Sequence, residues 1–144
     1  MTPFGWLTTV AAALAAATFP ATVAAQALAP PPLGAWTGTS LCLQGKPVCK
    51  DERVVYHGER SAPDSAGVTP LRVAMNKVVG GHEEEMGVLE CRYARADATL
   101  RCQMPPQFPR GEWRFRRRGD TLVGGLWLEA RGQFREVRLR RRPS

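Results

Sequence analysis

The chain has 144 residues, 44% of them hydrophobic and 23% charged, and a formal net charge of +7. That length leaves room for one domain with a core of modest size and excludes a second. The positive charge is unevenly placed: Gln26 to Pro109 holds nine Lys/Arg and nine Asp/Glu, whereas Arg110 to Ser144 holds eleven Arg and four acids, so one part of the surface is cationic and the rest is balanced.

The first 25 residues carry no charged side chain and hold an apolar run from Trp6 to Phe19, followed by Pro20 and small residues through Ala25. A run too short to span a bilayer and ending in small residues reads as a cleaved signal peptide over 1–25. The absence of Lys and Arg ahead of it leaves an uncleaved anchor as the alternative. A lipoprotein is excluded by the distance from the apolar run to the first cysteine, Cys42. The expected localisation is therefore periplasmic or secreted. Residues 26–32, ending in Pro30-Pro31-Pro32, read as a flexible, extended lead-in, because consecutive prolines donate no backbone hydrogen bonds.

A β-domain is expected over 33–142. Its first strand, Leu33 to Leu43, is rich in strand-favouring Trp, Thr and Leu. Gln44 to Pro47 turns the chain, and Arg53 to His57 is a second strand; Ser61 to Gly67 is an exposed loop. Val68 to Val79 and Glu84 to Tyr93 flank Gly80-Gly81, a pair suited to a tight hairpin turn. That turn sets Val79 against His82, Lys77 against Glu84, Met75 against Met86 and Val73 against Val88. It also puts Leu89, Cys91 and Tyr93 on the wrong face unless a bulge near Gly87 shifts the alternation.

A second hairpin turns at Ala96-Asp97, with Tyr93 opposite Leu100 and Cys91 opposite Cys102. Met104 to Pro109 is a loop. Glu112 to Arg116 alternates Trp113 and Phe115 with arginines, the pattern of a half-buried strand. Thr121 to Leu128 and Gln133 to Arg141 complete the set, and Gly124-Gly125 marks a bend at a barrel corner. The expected fold is all-β: a single eight-stranded antiparallel up-and-down meander barrel that pairs its first strand with its last and so removes its edges.

In an exported chain the four cysteines form disulfides. Three connectivities are open, and the local one is favoured: Cys42 with Cys49 across a short loop, and Cys91 with Cys102 across two neighbouring strands. The bridges staple the barrel, at about 2.5 to 3 kcal/mol each by loop entropy. Zinc binding lacks any C-x-x-C spacing, so no metal and no cofactor are expected.

Gly34-Ala35-Trp36, opening an eight-strand meander that ends in an arginine-rich strand, resembles the calycin group of barrels: lipocalins, avidins and relatives. The resemblance implies that Trp36 covers the closed end and that a basic side chain from near the chain end packs over it. Arg141 shares the alternation of Val137 and Leu139 and is the first choice, with Arg140 second. Size and disulfide use are also similar to small periplasmic barrels that inhibit metalloproteases. The early Trp-x-Gly-Thr, the Cys49-Lys50-Asp51-Glu52 step and the late Trp-x-Phe are similar to uncharacterised bacterial exported proteins, which assigns no activity.

Two clusters offer acid-base or metal chemistry, and both have a simpler reading. His82-Glu83-Glu84-Glu85 lies beside a hairpin turn, where exposed charges are ordinary. Asp51-Glu52 reads as a solvated turn closing the small disulfide loop. No Ser-His-Asp arrangement is readable, so no catalytic residue is assigned and the chain is read as no enzyme.

Two binding roles are expected instead. In the first, a small apolar or amphipathic ligand sits in a barrel cavity walled by Met75, Trp113, Phe115 and Leu126. In the second, Arg114, Arg116, Arg138 and Arg140 project outward as a basic face that attracts anionic lipid or another envelope component, with inhibitor-like action through loops as a variant. Nucleic acid is not an expected partner, since no aromatic-interleaved platform is evident. The chain is expected to act as a monomer.

Overall fold

A computed structural model describes residue 1 and residues 29–144; apart from Met1, the signal peptide expected at 1–25 lies outside the described residues, as do 26–28 of the lead-in. The chain forms eight strands: β1 (Gly34–Cys42), β2 (Glu52–Arg60), β3 (Val68–Val79), β4 (His82–Ala94), β5 (Thr99–Gln103), β6 (Gly111–Arg118), β7 (Thr121–Leu128) and β8 (Gly132–Arg141). Each pairs antiparallel with its neighbour in sequence, and β1 pairs with β8 to close the barrel. The fold class expected from the sequence is the one observed.

Alternation decides what fills the interior. Trp36, Val54, Tyr56, Leu71, Val73, Met75, Leu89, Cys91 and Tyr93 form one side of a continuous buried cluster, and Leu100, Cys102, Trp113, Phe115, Leu122, Leu126, Val137 and Leu139 form the other. Period-two apolar positions place these side chains on one face of each strand, and closure turns that face inward.

The β3–β4 hairpin turns through Gly80 and Gly81, both at positive φ (56° and 80°), as a tight turn compatible with strand twist demands. Val79 faces His82 and Lys77 faces Glu84 as expected, but the register then shifts: Met75 faces Gly87, and Val73 faces Leu89. The expected pairs Met75–Met86 and Val73–Val88 are thus replaced. Met86 is the extra residue of the bulge, and that one-residue offset carries Leu89, Cys91 and Tyr93 into the core.

Both disulfides take the local connectivity. Cys42–Cys49 closes the β1–β2 loop with a Cα separation of 5.9 Å. Cys91–Cys102 joins directly opposed residues of β4 and β5 at 4.2 Å. The β7 glycines answer to crowding as well as to curvature. A Cβ on Gly124 would lie 1.8 Å from the Arg114 carbonyl oxygen, and one on Gly125 would lie 1.9 Å from that of Arg135, so the neighbouring strands approach where no side chain could fit.

Candidate ligand pocket at the open end

The two ends of the barrel differ in what fills them. At the end where β1 begins, Trp36 is 1% exposed and its indole Nε1 donates to the Leu33 carbonyl at 3.2 Å. The Arg117 guanidinium lies 5.1 Å from the centre of that ring. It donates to the carbonyls of Gly119 at 2.9 Å, Pro31 at 3.0 Å and Pro30. Pro31 and Pro32 are buried, and the Tyr93 hydroxyl donates to the Ala29 carbonyl at 2.9 Å.

Two expectations change here. Ala29–Pro32 is no loose lead-in: the Ala29 carbonyl accepts from Tyr93 and those of Pro30 and Pro31 accept from Arg117, which seals this end. The basic partner of Trp36 is Arg117 of β6 rather than Arg141 or Arg140. Arg141 sits opposite Trp36 in the ladder but is exposed, as is Arg140. Three carbonyls hold Arg117 over the indole, and a second cation on the same ring would meet the charge of the first; burial and the Arg141 charge both lower the Arg117 pKa.

The opposite end is open. A cavity of about 380 Å³ lies there, lined by Ser40, Glu52, Tyr56, Met75, Leu89 and Trp113 inside the barrel, with Arg135 beside them and Met86, Gly87, Val88, Met104, Pro105, Gln107 and Phe108 at the mouth. Met75 and Trp113 are among its lining residues. Phe115 and Leu126 are not among the lining residues: both are buried, Leu126 at the level of the cavity between Trp113 and Arg135 in the ladder. Phe115 stacks on Trp113 with centroids 6.3 Å apart and meets Tyr56 edge-on at 6.2 Å. Tyr56, Met75, Leu89 and Trp113 belong to the same buried cluster as Phe115 and Leu126, so the cavity is a half-open recess against a packed interior.

Every methionine after Met1 borders this cavity. Unbranched thioether side chains adapt to ligands of different shape. Met104 is additionally fixed by the Trp113 indole, whose Nε1 lies 3.1 Å from its Sδ.

The cavity's polar groups are few and sit together. Arg135 Nη1 donates to Ser40 Oγ at 3.0 Å and to the Lys50 carbonyl at 3.2 Å, and stands 3.6 Å from a Glu52 carboxylate oxygen. The Tyr56 hydroxyl is buried with no hydrogen-bond partner among the described residues. Burial pushes its pKa up, with the Arg135 charge pulling the other way, so it stands as a neutral donor at physiological pH.

Neither Glu52 nor Arg135 was assigned to a site by sequence reasoning. Both carried a signal: Glu52 alternates with Val54 and Tyr56, and Arg135 with Val137 and Leu139. Asp51 does behave as expected, closing the disulfide loop by accepting from the Cys42 amide at 2.7 Å and from Lys46 Nζ at 3.1 Å.

On the outer surface the arginines form rows across β6, β7 and β8: Arg116–Val123–Arg138 and Arg118–Thr121–Arg140. Arg114 is held by Glu112 at 2.7 Å and lies 5.4 Å over Trp127, and Arg138 is held by Glu136 at 2.8 Å. Arg116 and Arg140 are exposed and in no ion pair among the described residues. Two residues of the acidic cluster are held in pairs, Glu83 with His57 at 2.8 Å and Glu84 with Lys77 at 3.8 Å. Among the described residues no group of three His, Cys, Asp or Glu side chains is placed to hold a metal. Comparison with known proteins finds no matching family model, no matching curated protein and no matching solved structure.

Proposed function

We propose that this protein is an exported, non-catalytic, monomeric binding protein of calycin-like architecture that carries a small amphipathic molecule in the open end of its barrel. The observation that supports this most is the cavity of about 380 Å³, walled by thioether and aromatic side chains and provided with one ion pair. Pockets of this size and character take small molecules by burying an apolar body and orienting a polar end. The sealed opposite end leaves one way in. Two disulfides fit an oxidising compartment, and the charge-free apolar leader supports export.

The test is a titration with the uncharged dye N-phenylnaphthylamine, whose fluorescence rises in apolar surroundings. A single saturable site from which decanol displaces the dye supports the reading. Absence of saturable binding overturns it.

A second reading draws on Arg116, Arg118 and Arg140, exposed and without acidic partners in the outer rows. Such a face suits attachment to an anionic membrane surface, with the barrel presenting its pocket to the medium.

A further inference from the structure

We infer that the pocket selects an uncharged amphiphile whose polar end is a hydroxyl or carbonyl, and that Glu52 is the residue that turns carboxylates away. This rests on the pocket reading above and adds a choice of headgroup to it. A lone arginine in an apolar pocket would attract anionic amphiphiles. Here the guanidinium already faces Glu52 at 3.6 Å, with the two side chains only 15% and 24% exposed. The pair brings the pocket close to neutrality. A carboxylate entering beside Arg135 would have to share one cation with a second carboxylate in a partly desolvated space, and like charges there repel.

An uncharged polar end meets no such obstacle. Arg135 spends Nη1 on Ser40 and Lys50, while its Nε and Nη2 groups make no hydrogen bond among the described residues. A ligand hydroxyl accepts from these donors and donates to Glu52; a carbonyl accepts alone. In both cases the ligand's polar end takes the place of solvent at the Arg135 donors that Ser40 and Lys50 leave free, without bringing in a second negative charge.

The experiment compares decanol with decanoate at neutral pH by displacement of N-phenylnaphthylamine, for the parent chain and Glu52→Gln, with thermal midpoints recorded for each. The parent should prefer decanol by about tenfold or more. Glu52→Gln, which keeps shape and removes charge, should raise decanoate affinity by about tenfold and so erase the parent's preference for decanol.

If the parent takes decanoate as well as decanol, the headgroup inference is overturned and the pocket reading stands. If the parent prefers decanol but Glu52→Gln gains nothing for decanoate, Glu52 is not the selecting residue. If neither compound displaces the dye, or the dye itself does not bind, the pocket reading fails and takes the headgroup inference with it. The parent comparison involves no substitution, so a poorly folding variant does not shelter the claim.

Discussion

Arg117 shows how one side chain closes one end of a barrel. Its guanidinium spans the Trp36 ring and the carbonyls of Gly119, Pro30 and Pro31, so it ties β6 to β1 and to the proline segment together. Removing it strands those acceptors and uncovers the indole. Arg117→Leu is expected to cost about 2 to 4 kcal/mol in urea unfolding, whereas Arg141→Ala should stay within about 0.5 kcal/mol. Equal losses for both would return the capping role to the last strand. Trp36→Ala, which opens a cavity beneath the same guanidinium, is expected to cost about 3 to 5 kcal/mol.

The same residue illustrates what the sequence let through and what it hid. Arg117 continues the inward alternation of Trp113 and Phe115, just as Arg135 shares that of Val137 and Leu139, and Glu52 that of Val54 and Tyr56. Alternation alone would have placed all three inside. Charge argued the other way, because isolated ions avoid interiors, and the partners that reconcile them come from distant segments: Pro30 and Pro31 for Arg117, and Ser40 and Lys50 for Arg135. Such pairings need the closed barrel, in which β1 lies against β8.

Among the elements, strands and turns were legible because their signals are local. Gly80-Gly81, the Cys91–Cys102 opposition and the Trp113/Phe115 alternation each specify their own neighbourhood. The bulge at Met86 was legible only as a conflict between the hairpin turn and the core pattern, and its position follows from which register buries Leu89 and Tyr93. The cross-strand disulfide should hold β4 and β5 in that register. Non-reducing peptide mapping is expected to yield Cys42 joined to Cys49 and Cys91 joined to Cys102, and replacing Cys91 and Cys102 with alanine should lower stability by about 3 kcal/mol. A crossed linkage would contradict the register.

The β1–β2 loop and the β3–β4 hairpin also carry a pH dependence. The Cys42 amide, aided by Lys46, holds the Asp51 carboxyl below its ordinary value, and the hydrogen bond from His57 does the same for Glu83. Carboxyls depressed in the folded state bind protons more readily when the chain unfolds. Their stabilisation is complete above the ordinary carboxylate range and is lost as pH falls through the lowered folded values. The thermal midpoint is therefore expected to be level near neutrality and to fall below about pH 4. Asp51→Asn combined with Glu83→Gln should flatten that fall, and an unchanged acid limb in the double variant would assign it to other groups.

At the scale of the whole molecule, the barrel has one sealed end, one hollow end and a cationic flank. If that flank attaches the protein to a surface, phosphatidylglycerol vesicles should retain it at low salt and release it at physiological ionic strength, where screening shortens to about 8 Å. Replacing Arg114, Arg116, Arg138 and Arg140 with glutamine should abolish retention and leave the thermal midpoint nearly unchanged, since these side chains point away from the core. Retention by the quadruple variant would dismiss the flank as a binding face.

The hollow end carries the central claim, and Gly87 gives direct access to it. Gly87 lines the cavity, its φ lies outside the left-handed region, and a Cβ built on it meets no atom within 4 Å. Gly87→Phe therefore places a ring in the space assigned to the ligand without straining β4. The decisive measurement is N-phenylnaphthylamine binding to the parent chain and to Gly87→Phe, at a temperature where both are folded. The account predicts one saturable site in the parent and its loss in the variant, whose thermal midpoint should be equal or higher because a void has been filled. Undiminished dye binding by a folded Gly87→Phe would contradict the claim that this end of the barrel is the binding site.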